Sequence, residues 1–226
     1  MVYQKTSITP VRTTAVVTAR NEAATIDQVV RALLTCKDID EIIVVDDCSL
    51  DGTADAIDAG DVLVLRNERH LGKGASMDRA VEQAHGDVLC FVDADLIGLT
   101  AGHVSTLVEP VVRGAVDMHI GMRWTPWYRS RITRAITPKL GGERAMVRAV
   151  WQSVGVRWRR GYRIEAALNN SALVHGYRTA TVLLPGLTHR VKERKYGKFR
   201  GMLARASMII DVAIAYLLIT TTGGAR

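Results

Sequence analysis

Cysteine is scarce in this chain: Cys36, Cys48 and Cys90 are the only three among 226 residues, and they sit in apolar or turn-like surroundings. An odd, widely spaced set excludes a disulfide framework and the close pairs of a structural zinc site. A reducing, cytoplasmic compartment is therefore expected. A run of about 20 apolar residues, the length that spans a bilayer, is also missing. The apolar stretch at 208–219 is short, contains Asp211, and reads as a buried or membrane-surface helix. Residues 1–10 mix Gln4, Lys5 and hydroxyl side chains where a secretory signal would carry a continuous apolar core. Internal repeats and low-complexity tracts are absent as well.

What remains is a chain with 48% hydrophobic residues, enough for one sizeable α/β core. Its net charge of +7 conceals an asymmetry. Residues 1–122 carry 10 Lys/Arg against 19 Asp/Glu, a balance of −9, whereas residues 123–226 carry 20 against 4, a balance of +16. The acidic half suits a bound cation and the basic half an anionic partner. The chain divides there, into an α/β half at 1–122 and a half at 123–226 with basic loops and an apolar C-terminal helix, both within one compact domain.

Residues 14–18 form a β-branched apolar run, followed by Arg20-Asn21-Glu22 and a helical spacing through Ile26, Val29, Val30, Leu33 and Leu34. The same strand-loop-helix order recurs at 41–45, with the polar loop 46–53 and a helix expected from about Ala54. Residues 62–66 read as a third strand, 72–84 as a helix and 87–92 as a fourth strand. Strands this apolar, alternating with helices, predict a doubly wound, mostly parallel sheet with helices on both faces and its ligands at the carboxyl ends of the strands. Further on, 140–150 resumes a helical spacing, 162–173 reads as a helix, 179–184 as a strand and 186–201 as a basic loop. Trp124, Trp127 and Tyr128, set among arginines, read as packing partners.

The chemistry concentrates at two strand ends. Asp93-Ala94-Asp95 closes the fourth strand, and alternation along the backbone points Asp93 and Asp95 to one side. Two carboxylates there repel unless a cation lies beside them, and Mg2+ or Mn2+ takes such ligands while leaving positions for substrate phosphates. Asp46-Asp47 closes the second strand, where carboxylates can accept from a base edge or ribose hydroxyls. Asp51 and Thr53 have an equal reading as helix caps. Lys73 lies between Gly72 and Gly74, which allow a close backbone approach, and supplies a mobile charge for a diphosphate. Glu165, one of four acids after Met122, reads equally as an acceptor-orienting base or as an arginine ion pair. Arg144 is a candidate fork for phosphate or carboxylate, with Arg148 competing for that role.

The order Thr18-Ala19-Arg20-Asn21-Glu22, Val44-Val45-Asp46-Asp47, Gly72-Lys73-Gly74 and Val92-Asp93-Ala94-Asp95-Leu96 resembles the nucleotide-sugar-binding half of the family 2 GT-A glycosyltransferases. Residues 141–144 (Gly-Gly-Glu-Arg), 161–165 and His189-Arg190 carry a closer likeness, to the glucosyl-3-phosphoglycerate synthases within them. The resemblance implies a nucleotide-diphospho-sugar transferase fold and transfer of a sugar, glucose by the closer likeness, from a UDP- or GDP-linked donor to a small phosphorylated acceptor such as 3-phosphoglycerate. It places Ala19, Glu22 and Asp46 at the nucleoside, Asp47 at the base, Lys73 at the donor, Asp93 and Ala94 at the ribose, Asp95 and His189 on Mg2+ or Mn2+, and Gly142, Glu143 and Arg144 at the acceptor. Asp95, Glu165 and Arg144 form the expected catalytic set, and a homodimer follows from family likeness alone.

Polyprenyl-phosphate sugar transferases belong to the same family, and the basic stretch at 190–200 suits a lipid phosphate at the inner face of a membrane, so that acceptor is the alternative. A nucleotidyltransferase would open with a Gly- and Arg-rich phosphate loop, which residues 18–22 lack. Nucleic-acid binding would leave the paired carboxylates without a task, so no nucleic-acid partner is expected.

Overall fold

The computed structural model describes residues 10–57, 60–123, 141–161 and 163–189. Trp124, Trp127, Tyr128, the basic stretch at 190–200 and the apolar stretch at 208–219 lie outside the described residues. Strands β1 (Thr13–Ala19), β2 (Glu41–Asp46), β3 (Val62–Arg66) and β4 (Val88–Asp93) run parallel in the spatial order β3-β2-β1-β4. Helix α1 (Ile26–Leu34) joins β1 to β2, and α2 (Lys73–Gln83) joins β3 to β4.

Beyond β4 the sheet becomes mixed. A two-residue strand β5 (Leu96–Ile97), helix α3 (Ala101–Val112) and strand β6 (Met118–Arg123) follow in the chain. Strand β7 (Arg144–Val147) then inserts antiparallel between β4 and β6, and β8 (Thr179–Leu184) closes the order β4-β7-β6-β8. Helices α4 (Arg148–Gln152) and α5 (Arg163–Val174) lie between β7 and β8 in sequence. A second, two-stranded sheet pairs β5 with β9 (Thr188–His189).

The two-residue period of the strands sorts the core into two layers. Ala15, Val17, Val44, Cys90 and Val92 face α1 and α3, whereas Val16, Ile43, Val45, Leu89 and Phe91 face α2, α4 and α5. Burial on both faces is why these strands read as continuous apolar runs. On α1 the buried Ile26, Val29, Val30 and Leu33 repeat at the helical period seen in the sequence.

Two expectations fail. The helix from Ala54 is only a turn over 53–56, because Asp51 binds the Thr53 amide and hydroxyl locally and so few residues precede Gly60 that a helix nucleus is not offset. The helical stretch at 140–150 is instead strand β7 followed by the short α4. Two open strand edges, β4 and β6, recruit Arg144–Val147, and that pairing overrides the local periodicity.

Candidate active site

The carboxyl ends of β1, β2 and β4 stand side by side, and short hydrogen bonds lock their loops together. The Asp47 amide donates to the Ala19 carbonyl at 2.8 Å, and the Asn67 amide donates to the Asp46 carbonyl at 2.9 Å. The Asn21 amide donates to Ser49 Oγ, the Leu50 amide returns to Asn21 Oδ1, and the Glu22 amide donates to Thr53 Oγ1. Asn21 and Cys48 adopt positive φ angles of 53° and 59°, a conformation asparagine tolerates better than most residues. Thr25 Oγ1 donates to the Ala94 carbonyl at 2.8 Å and so ties the start of α1 to the Asp93-Ala94-Asp95 turn. Ala19, Glu22, Asp46, Asp47, Asp93, Ala94 and Asp95 are thus gathered at one edge.

Asp47 is held by four donors from the loop after β3. Oδ1 accepts from Asn67 Nδ2 and the Leu71 amide, both at 2.8 Å; Oδ2 accepts from the Gly72 amide at 2.8 Å and pairs with His70 Nδ1 at 2.6 Å. Burial opposes ionisation of this group, but the Leu71, Asn67 and Gly72 donors and the neighbouring His70 outweigh it and hold its pKa below the ordinary aspartate value. Two oxygens offer about four lone-pair sites, and all are used by the protein. The carboxylate expected at a nucleotide base thus also holds the segment that leads into Lys73.

Lys73 opens α2. Its Nζ lies 2.7 Å from Asp93 Oδ1 and 3.0 Å from Glu165 Oε1, so three residues remote in sequence share one charged cluster. Burial disfavours the ammonium, yet the Asp93 and Glu165 carboxylates outweigh that cost and raise its pKa above the ordinary lysine value. Glu165 is paired as anticipated by its ion-pair reading, with lysine rather than arginine as the partner. Gly74 is required one residue further on, because a Cβ there would lie 2.6 Å from the Arg159 carbonyl carbon and oxygen.

Gly142 brings the expected acceptor loop to the same place: a Cβ at this position would collide with the Asp93 carboxylate. A Cβ at Gly141 would likewise strike the Gly121 carbonyl. The remaining parts of that segment are placed differently from expectation. Glu143 is buried. Arg144, proposed above as an acceptor fork, is 1% exposed; its Nε and Nη2 donate to the Gly141 carbonyl at 3.1 and 2.6 Å, and Nη1 reaches Asn169 Oδ1 at 3.4 Å. As a residue of a central strand it lies beneath the glycine loop and props it up. Arg148 caps the far end of α2, donating to the carbonyls of Val81, Ala84 and Gly86.

The strand register brings the backbone of His189 beside the segment that carries Asp95. Leu96, the residue after Asp95, is paired directly with His189 across the β5–β9 ribbon. No group of three or more His, Cys, Asp or Glu side chains arranged for a metal occurs among the described residues. One carboxylate and one imidazole fit a small hard cation that keeps several positions for water and substrate phosphate, as Mg2+ and Mn2+ do.

Asn67, His70, Ser76 and Thr25 escaped the sequence reading. The available signal was positional: Asn67 directly follows an apolar strand, as Asp47 follows β2, and polar residues at strand ends belong to the ligand-bearing edge.

Comparison with known proteins places this arrangement. The sequence profile described as glycosyl transferase family 2 matches residues 14–167. Glycosyltransferase AglD of Haloferax volcanii is 35% identical over 127 residues, which is 51% of this chain and 20% of that protein. Glucosyl-3-phosphoglycerate synthase of Mycobacterium tuberculosis is 35% identical over 108 residues, 44% of this chain and 33% of that protein; its Mycolicibacterium smegmatis counterpart is 30% identical over 192 residues, 70% and 63%. The chain thus spans a fifth to a third of the length of the first curated relatives it matches. Among solved structures, the M. tuberculosis synthase in complex with Mn2+, UDP and glucosyl-3-phosphoglycerate superposes with a TM-score of 0.75 at 25% identity, covering 92% of this chain and 79% of that one. Its complex with Mg2+ and UDP gives 0.74 at 25% identity, covering 92% and 78%. The mixed α/β sheet is accordingly the GT-A nucleotide-diphospho-sugar transferase fold, and with a profile match that runs from β1 into α5 the chain belongs to glycosyl transferase family 2.

Proposed function

We propose that this chain transfers a sugar, glucose in the first instance, from a uridine diphosphate donor to a small phosphorylated acceptor of the phosphoglycerate type. The observation that carries this reading is the Lys73–Asp93–Glu165 cluster, with the Gly142 backbone packed on Asp93 and the backbone of His189 paired with Leu96, the neighbour of Asp95. The M. tuberculosis synthase, which shares the fold, has been solved with Mn2+, UDP and phosphoglyceric acid, and that ligand set is the chemistry these residues suit.

Asp95 and His189 would hold the divalent cation, which when bound neutralises the charge that develops on a departing diphosphate. Lys73, kept as an ammonium by its two acids, is placed to turn toward the same diphosphate oxygens. That movement would leave Glu165 facing the acceptor side, where a carboxylate can orient a hydroxyl or accept its proton. Arg144 supports the glycine loop from below, so the acceptor meets the Gly142 backbone beside Asp93 rather than the guanidinium.

The test is a product screen of UDP- and GDP-sugars against phosphoglycerate and polyprenyl phosphate, with and without Mn2+. Glucosylated phosphoglycerate formed from UDP-glucose in the presence of Mn2+ is expected. An Asp95→Ala variant should lose on the order of 10³-fold in turnover while its circular dichroism is unchanged, several kcal/mol of charge stabilisation being removed. Full activity in that variant removes the metal assignment, and turnover only with polyprenyl phosphate replaces the acceptor.

A further inference from the structure

Asp95 lies between two ladders. The pairing of β1 with β4 ends at Thr18 and Asp93, and the β5–β9 pairing starts at Leu96, so Ala94 and Asp95 form a turn that belongs to neither sheet. Ala94 is buried in the core layer that also holds Ile26 of α1, whereas Asp93 and Asp95 on either side of it are only partly buried. The Ala94 carbonyl accepts from Thr25 Oγ1 at 2.8 Å, a buried bond between residues 69 positions apart. Thr25 is the N-cap of α1, and a threonine there ordinarily turns its hydroxyl back to accept from an amide of its own first turn. Here it makes no such bond. The hydroxyl instead serves Ala94, with the Glu22 carbonyl a longer second acceptor at 3.3 Å. On its other side the same segment is bound to the 46–53 loop, through the Asn21 amide to Ser49 Oγ and the Glu22 amide to Thr53 Oγ1. Residues 21–25 therefore bridge the loop after β2 and the turn after β4, and Thr25 is the last link.

We propose that Thr25 is a positioning residue for the divalent cation: its hydroxyl fixes the peptide plane between Ala94 and Asp95, and with it the direction from which the Asp95 carboxylate meets the ion. This deepens the metal reading of the site and rests on Asp95 being a ligand. The Ala94 carbonyl and the Asp95 Cα belong to one planar unit, so a donor that holds the oxygen also holds the origin of the Asp95 side chain. Without the hydroxyl a buried carbonyl loses its donor, and the turn relaxes toward another partner. Groups that orient a metal ligand without touching the metal alter its affinity by about 10- to 100-fold. A threonine that only stabilised α1 would weaken every property of the protein alike; a positioning threonine weakens cation binding out of proportion to nucleoside binding.

Four variants of the full chain test this. Thr25→Val keeps the shape and removes the donor, Thr25→Ala does so with a smaller side chain that the core accepts with less strain, and Thr25→Ser keeps the hydroxyl. Thr35→Val weakens the other end of the same helix, where the hydroxyl donates only to the Arg31 and Ala32 carbonyls. Three quantities are measured: the Kd of Mn2+ for the UDP-loaded protein, from the paramagnetic resonance of the free ion; the Kd of uridine; and amide hydrogen exchange across residues 93–97 in the free protein. Thr25→Val should raise the Kd of Mn2+ about tenfold and speed exchange across 93–97, with the Kd of uridine within about twofold of wild type. Thr25→Ala should repeat the pattern at about threefold or more, and Thr25→Ser and Thr35→Val should stay within about twofold throughout. An unchanged Mn2+ affinity in the valine and alanine variants, an equal loss in Thr25→Ser or Thr35→Val, equal losses for Mn2+ and uridine, or unchanged exchange across 93–97 would overturn the assignment. Asp95→Ala separates this failure from that of the metal reading. A wild type that binds no Mn2+, or an Asp95→Ala variant that binds it as tightly, removes the metal reading and this inference with it; a loss in Asp95→Ala with none in Thr25→Val removes this inference alone.

Discussion

Asp47, just past the tip of β2, and Asp93, at the tip of β4, end the two strands that flank β1, yet the fold treats them in opposite ways. The Asp47 side chain is 6% exposed and surrounded by donors built into the loop, two of them backbone amides. The Asp93 side chain is 23% exposed and faces the ammonium of Lys73, a charge on a four-carbon stem. A fixed donor cannot leave without unfolding the loop, whereas a lysine can turn to a substrate. The kind of donor, more than the presence of an acid, separates a carboxylate fixed within its loop from one whose partner can turn away.

The largest effect that would sharpen this contrast is expected from Lys73→Met. Removing the ammonium leaves Asp93 and Glu165 facing each other without their shared counter-charge, which should destabilise the fold by about 2 kcal/mol after allowance for partial exposure. Turnover should fall by at least about 100-fold with the lost diphosphate contact. Adding Glu165→Gln should recover much of the stability in urea melts and none of the turnover. Recovery of both would mean that the lysine serves only the ion pair.

Gly142→Ala comes next. Its Cβ would push into the Asp93 carboxylate, so about 1–3 kcal/mol of stability should be lost through overpacking, together with most of the activity, while Gly102→Ala, at an exposed position of α3 where a Cβ meets nothing closer than Thr100 Oγ1 at 3.7 Å, should leave activity unchanged. Equal activity in the two variants would break the link between the glycine loop and Asp93.

The smallest effect is the pH dependence of stability. Burial raises the pKa of Asp47, Asp51 and Glu41, but hydrogen-bond donors outweigh it in each, and Arg178 lowers that of Asp117. Carboxylates held lower in the folded state than the ordinary value of about 3.9–4.3 contribute stability that is complete above that range and is lost as the pH falls through their folded values. Urea unfolding should therefore be level from about pH 6 upward and weaken below about pH 4.5, and Asp47→Asn should flatten the acid limb. An acid limb unchanged in Asp47→Asn would remove the contribution assigned to that carboxylate.

Much of this architecture was legible beforehand because strands buried on both faces leave long apolar runs. Residues 14–18, 41–45, 62–66 and 87–92 all became strands within a residue or two. The Asp93-Ala94-Asp95 triplet was legible as a site candidate from its strand-end position, Lys73 from its flanking glycines and Glu165 as one of few acids in a basic half. Residues 144–147 were not legible as a strand, since their pattern matches a helix until the open edges of β4 and β6 are available to pair. Burial of Arg144 followed from that same pairing and had no signature of its own.

By itself the sequence determined the alternation of apolar strands and helices, and with it the edge at which polar residues collect, because periodicity and hydrophobic burial act over a few residues. Only the tertiary structure decided which acid would be saturated, which glycine would press on Asp93, and that Lys73 would meet Glu165, 92 positions later in the chain. Those outcomes depend on distances between segments remote in sequence, and a carboxylate takes its role from whatever donor the fold brings within 3 Å of it.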